Sequence, residues 1–198
     1  MRVDRSVLVL VDYQERLMPA IADQAEVLRR AGFVAAVAHE LGVPVVGTAQ
    51  NPEKLGPNLP PVAERLDRVI DKVTFGACEG GLDDVLAELD RTVTPPSADP
   101  AGAMLRVDPD RPRDVVIAGC ETHVCLLQTA LGLLEVGRRV WVVADASGSR
   151  HAADRETALT RLAWAGATVV SAEMVAFEWL RSSDHQHFRA VSRLVKEL

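Results

Sequence analysis

The chain has no apolar run approaching the ~20 residues needed to cross a bilayer. It also has no basic tract, and it holds only three cysteines. The first absence argues against a membrane partner. The second, in a 198-residue chain of formal net charge -6, leaves no reason to expect DNA or RNA, whose phosphates are met by clustered Lys and Arg. The third excludes a disulfide framework. An odd, low cysteine count fits free thiols in a reducing compartment, so a cytoplasmic location is expected. Met1-Arg2-Val3-Asp4-Arg5 runs straight into an apolar strand, and no signal peptide is expected. There is no internal repeat or low-complexity tract. Gly76 with Gly80-Gly81 makes neither a G-x-G-x-x-G turn nor a P-loop, and no cofactor is expected.

What is present is a regular alternation of strand and helix. Hydrophobic residues make up 48% and charged residues 25%, ordinary proportions for one domain, 1–198, with a sizeable core. Ser6–Val11 is an apolar run ending at Asp12. Helical periodicity follows from Gln24 to Leu41 and stops at Gly42. The second strand is Val43–Val46, and Asn51–Pro61, with four prolines, must be a loop. Arg68–Ile70 is a short third strand leading to Asp71-Lys72, and Gly81–Leu89 reads as a helix. Arg91–Arg113 reads as an extended surface excursion. The fourth strand is Val115–Ala118 with a helix over Val124–Val136, and the fifth is Arg139–Ala144. A helix over Ala152–Trp164, a sixth strand at Thr168–Val170 and helices near Ala172–Leu180 and His187–Val195 complete the pattern. Nearly continuous apolar strands alternating with helices predict a parallel sheet covered on both faces, a three-layer, Rossmann-like α/β/α fold, for which the strand order 3-2-1-4-5-6 is expected.

In such sheets, ligands bind beyond the carboxyl ends of the strands, where the strand order reverses. Strands 1 and 4 flank that point and deliver Asp12 and Cys125. Lys72, after the third strand, would lean back across two strand spacings, roughly 10 Å. Cys125 falls where the helix after the fourth strand should begin. The helix start carries roughly half a positive charge, which lowers a thiol's pKa and favours the nucleophilic thiolate. Asp12 would accept the thiol proton and Lys72 would hold the thiolate. Tyr13, Gln14, Gln50, Phe75, Thr122 and His123 are the candidate pocket residues around this set.

Asp12-Tyr13-Gln14, Asp71-Lys72-Val73-Thr74-Phe75 and Gly119-Cys120-Glu121-Thr122-His123-Val124-Cys125 resemble the three signature segments of the isochorismatase-like cysteine hydrolases. The similarity runs nearly end to end and is greatest to the small metal-independent members. It implies an Asp–Lys–Cys triad at Asp12, Lys72 and Cys125. It also implies a cis peptide between Cys120 and Glu121, which costs about 3–4 kcal/mol, and an oxyanion hole from the Glu121 and Cys125 N–H groups. The course it implies is attack on a carbonyl, a thioester intermediate, loss of ammonia or an amine, then hydrolysis. Nicotinamidase relatives place an Asp and two His near the second-strand loop. Here that loop reads Ala49-Gln50-Asn51-Pro52-Glu53, so no metal is expected. Isochorismatases proper generally lack the cysteine, so its presence favours C–N cleavage of a small amide or ureide.

Blander readings compete. Taken alone, Cys125 reads as a buried structural thiol, as Cys78 and Cys120 still do. The three segments together turn the reading toward a nucleophile. Asp12 and Lys72 read otherwise as a structural ion pair, and Tyr13 and Phe75 equally as core. His123 reads as pocket wall or turn rather than base, His39 as surface, and His185 and His187 as solvated. Trp179, with Met174 and Phe177, reads as a subunit interface of a homo-oligomer, a dimer or tetramer. Two other functions stay open: a catalytically silent member that binds a metabolite or senses oxidants through Cys125, and an enol-ether hydrolase.

Overall fold

A computed structural model describes residues 1–92 and 112–198. Six strands form one all-parallel sheet: β1 Ser6–Val11, β2 Val45–Gln50, β3 Arg68–Lys72, β4 Asp114–Gly119, β5 Val140–Val143 and β6 Thr168–Val170. Their order is β3-β2-β1-β4-β5-β6, the expected one. β1 is buried along its whole length, and its alternating side chains feed two separate cores. Leu8 and Leu10 pack with α1 Gln24–Glu40, α7 Ala172–Leu180 and α8 Phe188–Lys196. Val7, Val9 and Val11 pack on the other face with α4 Asp83–Arg91, α5 Leu127–Glu135 and α6 Ala152–Trp164. A strand with both faces covered has no place for alternating polar residues, which is why the sequence reads as unbroken apolar runs.

The expected boundaries shift where polar residues sit inside strands. β2 begins after Pro44 and runs on through Gly47-Thr48-Ala49 to Gln50, and β3 continues to Lys72. The Asn51–Pro61 loop holds two single helical turns, α2 Pro52–Leu55 and α3 Pro60–Ala63, each opening on a proline whose missing N–H costs nothing there. The helix after β4 enters through a wide π-helical turn, Thr122–Leu126, before α5 proper. Gly42, at φ +69°, ends α1 as expected.

Of the predicted excursion, residues 93–111 lie outside the described residues, but its flanks are tied down. Arg113 donates to Ser6 O (3.2 Å) and Leu89 O (3.2 Å), and its N–H to Asp90 Oδ1 (2.8 Å). The interface reading of Trp179 is corrected. Trp179 is buried in the α1–α7–α8 core and its Nε1 donates to Ser6 Oγ at 3.0 Å, because a nine-residue helix of this composition turns one face inward. Met174 and Phe177 of the same helix are exposed.

The sheet's register brings the site together. Val11, the last residue of β1, pairs with Thr48 on one side and Gly119 on the other. A methyl group on Gly119 would sit 2.5 Å from Val11 Cβ and 2.7 Å from Val11 O, so only glycine lets β1 and β4 approach here. Gly119→Ala is expected to destabilise the protein by about 1–3 kcal/mol, read as a lower urea midpoint at unchanged slope.

Candidate active site

Asp12 leaves β1 in the left-handed region, at φ +58°, an uncommon conformation for a residue with a Cβ. That turn swings its carboxyl group back over the ends of β2 and β3. Asp12 N–H donates to Thr48 O at 3.3 Å. Its Oδ1 accepts the Thr48 hydroxyl at 2.6 Å and its Oδ2 accepts Lys72 Nζ at 2.8 Å. The two charged side chains are 0% exposed, so water screens neither. Lys72 reaches across β2 as the spacing predicts. Its ammonium also donates to Gln50 Oε1 (2.7 Å) and to the carbonyl of Phe75 (3.1 Å). Gln50 Nε2 in turn donates to Val73 O at 2.7 Å, fixing the loop that follows β3.

Cys125 sits in the π-helical turn ahead of α5 and is 5% exposed. Its carbonyl accepts the Thr129 hydroxyl at 2.7 Å. Asp12 and Lys72 both act on the thiol as charges. The expected acidification of this thiol is corrected. Burial pushes Cys125 up to about 12; the Asp12 and Glu121 carboxylates push the same way and outweigh Lys72. Cys120 and Cys78 are raised as well, burial leading in both. The fully buried Cys120 thiol lies 3.3 Å from Met18 Sδ.

The expected cis peptide at Cys120–Glu121 is also corrected, since no cis peptide occurs among the described residues. The bond takes the ordinary trans form, and hydrogen bonds on both sides tie the segment down: Cys120 N–H to Val11 O (2.9 Å) and Thr122 N–H to Gly148 O (2.9 Å). Glu121 O accepts the Val124 and Leu126 N–H groups (3.0 and 3.4 Å). Its side chain pairs with Arg150 Nε at 2.8 Å and His123 Nδ1 at 3.3 Å, and His123 Nδ1 also meets Ser149 Oγ at 3.0 Å. His123 therefore joins the turn after β4 to residues 149–150.

The other candidate pocket residues divide by burial. Tyr13 is fully buried in the core and its hydroxyl donates to Ala146 O at 2.5 Å. Gln14, also fully buried, brackets the loop after β2. Its amide donates to Gln50 O (3.1 Å) and Gly56 O (2.7 Å) and accepts from Gln50 N–H (2.8 Å). Thr122 is fully buried, and its hydroxyl finds no partner among the described residues. All three are fully buried, and Tyr13 and Gln14 spend their polar groups on main-chain partners rather than on solvent. Gln50 and His123 are partly exposed and Phe75 is 53% exposed, so these three keep access to solvent. Among the described residues, no group of three or more His, Cys, Asp or Glu is placed to hold a metal ion. No helix among them is long and apolar enough to cross a membrane.

Sequence reasoning passed over Thr48 and Asn58. Thr48 is fully buried, and its carbonyl accepts both Asp12 N–H and Asn58 Nδ2 (3.1 Å). A hydroxyl inside the apolar run Val45–Ala49 was the available signal, since a buried polar group must have a partner.

Comparison with known proteins places these residues in a wider setting. The isochorismatase domain matches residues 6–174. The chain is 31% identical to mouse isochorismatase domain-containing protein 2A over 194 residues, covering 98% of this chain and 84% of that one. It is 31% identical over 197 residues to the secreted isochorismatase effector Isc1 of Phytophthora sojae, covering 97% and 85%. The structure of the MAR1 ribonuclease of Caenorhabditis elegans superposes with a TM-score of 0.83 at 29% identity, covering 99% of this chain and 92% of that one. The Escherichia coli YcaC gene product, described as an octameric hydrolase of unknown specificity, superposes at 0.78 and 20% identity, covering 100% and 95%.

With its thiol held up to about 12, Cys125 is expected to stay protonated in the resting protein. An ultraviolet thiolate titration of the folded protein should show no step between pH 6 and 9. A step near pH 7 that disappears in Cys125→Ala would show an acidified thiol instead.

Proposed function

The chain belongs to the isochorismatase domain family and has the fold of its hydrolases, and on that footing we propose that it is a cysteine-dependent hydrolase that cleaves a C–N bond of a small amide- or ureide-like substrate. One observation carries the reading: a carboxylate and an ammonium, both fully buried, are ion-paired at 2.8 Å beside a nearly buried thiol on which both act. A structural ion pair alone would have no need of a thiol beside it. Buried charges near a nucleophile are what a reacting group requires.

In this reading Cys125 Sγ attacks the substrate carbonyl carbon as its proton passes to Asp12. The C–S bond forms and the carbonyl π pair moves onto oxygen. Collapse breaks the C–N bond, and the nitrogen leaves with the proton that Asp12 returns, leaving a thioester on Cys125. Water, deprotonated by Asp12, then releases the acid and restores the thiol. Lys72, bonded on several sides, stays a fixed positive charge that offsets the negative charge on sulfur. The Glu121 N–H, which takes no partner among the described residues, and the Cys125 N–H are assigned to the developing oxyanion. One such donor is worth about 3 kcal/mol.

The name ribonuclease belongs to the C. elegans neighbour. For this chain, a net charge of -6 and the lack of a basic tract support a small-molecule substrate instead. We also propose a homo-oligomer. Exposed Met174 and Phe177 on α7 support it, and an octameric assembly is on record for the E. coli neighbour. The cytoplasmic assignment rests on the cysteine count, against which stands one relative described as a secreted effector.

The test is a screen of primary amides, ureides and nicotinamide-like compounds, read by release of ammonia or amine. Cys125→Ala and Asp12→Asn are expected to reduce turnover of any hit to background, with Cys125→Ala still folded by circular dichroism. A hit that Cys125→Ala cleaves at the wild-type rate would contradict the proposal and favour enol-ether or other acid chemistry.

A further inference from the structure

Asp12 is asked to take a proton from Cys125 and later return it, so one carboxyl oxygen must face the sulfur each time. Nothing within the aspartate side chain ensures this, because its terminal torsion is broad and roughly two-fold. Lys72 restrains only Oδ2. The other oxygen is held by the Thr48 hydroxyl at 2.6 Å, in a place where neither residue meets water. The Thr48 main chain grips the same residue from behind, its carbonyl taking Asp12 N–H at 3.3 Å and keeping the left-handed turn in register. Asn58 closes the arrangement by donating to that same carbonyl at 3.1 Å.

From this geometry we infer that Thr48 is a positioning residue for the proton acceptor, holding the Asp12 carboxyl plane so that it meets the Cys125 thiol. The inference rests on the proposed cysteine chemistry and deepens it. The hydroxyl can do what Lys72 cannot. An ammonium only donates, whereas a hydroxyl rotates and either donates to a carboxylate or accepts from a carboxylic acid. Thr48 therefore keeps a bond to Asp12 on both sides of the proton transfer. Lys72 keeps its charge through the cycle, and Thr48 supplies the adaptable partner. Valine, its isostere, would preserve the β2 packing while leaving Asp12 Oδ1 buried without a donor.

The test needs no knowledge of the substrate. Iodoacetamide alkylates Cys125 by forming a C–S bond as iodide leaves with the C–I pair, and the thiol proton goes to Asp12. Peptide mapping separates this adduct from those of Cys78 and Cys120. Thr48→Val is expected to slow Cys125 alkylation about tenfold and Asp12→Asn by about a hundredfold, while Thr48→Ser stays within about threefold of wild type. Thr48→Ala, which removes the hydroxyl without adding bulk, should match Thr48→Val, so the measurement does not depend on one variant folding. Rescue by serine separates a hydroxyl that positions a base from a side chain that merely fills space. Two results would overturn the inference while leaving the proposed chemistry intact, provided Asp12→Asn is slow. One is wild-type alkylation in Thr48→Val or Thr48→Ala, and the other is Thr48→Ser as slow as Thr48→Val. Wild-type alkylation in Asp12→Asn would overturn the chemistry itself.

Discussion

The structure depends on two opposite charges held together out of water. Taking a carboxylate and an ammonium from solvent into a protein interior costs several kcal/mol per ion even after relaxation. Their mutual attraction repays this only when the geometry is good and the remaining hydrogen-bonding capacity is used. Asp12 and Lys72 meet both conditions. Thr48, Gln50 and the carbonyl of Phe75 supply the other bonds, and the ions lie 2.8 Å apart. The segments that supply those partners are fixed by the pair: the β1 exit in a left-handed turn, the end of β2, and the loop after β3. Removing either ion would leave the other buried and alone, at a cost of about 3–5 kcal/mol. Such a pair is a poor way to stabilise a fold, which favours reading it as equipment for a reaction.

The thiol beside the pair is set up differently from what its place near a helix start implies. A helix terminus acts over roughly one turn, and exposed sites are typically worth 0.3–1 kcal/mol. Desolvation of a nearly buried sulfur and two nearby carboxylates act in the opposite direction and prevail. A thiol pushed up to about 12 keeps its proton in the resting protein. In the proposed reaction the nucleophile is made during attack, by proton transfer to Asp12. A thiol kept neutral at rest is also less open to stray oxidation, because the thiolate is the reactive form.

The parallel sheet was legible in the sequence because its central strands β1 and β4 are covered on both faces and read as apolar runs, whereas the largely exposed β3 showed only its short apolar part. So were Asp12, Lys72 and Cys125 as strand-end residues, and the reach of Lys72 across β2. Burial was not legible. Tyr13 and Gln14 follow Asp12 directly and read as pocket residues, yet the turn at Asp12 sends one into the core and the other into a bracket on the β2 loop. Trp179 belongs to the core because Ser6 waits there for its indole N–H, a pairing no spacing reveals. The hydroxyl of Thr48 inside a strand marked it as needing a partner, but only the strand register, which sets it beside Val11, shows that the partner is Asp12. The direction in which the Cys125 thiol is shifted required the position of every nearby charge, and the cis peptide implied by the family resemblance is trans here.

In the proposed reaction Cys125 becomes covalently acylated, with Asp12 as the proton acceptor. The most direct measurement is intact-protein and peptide mass analysis of a reaction with an identified substrate, quenched in acid before turnover is complete. A hydroxylamine-labile mass equal to the acyl part of the substrate is expected on Cys125, absent from Cys125→Ala and Asp12→Asn. Steady turnover with no such adduct at any time, or an adduct on another residue, would contradict it.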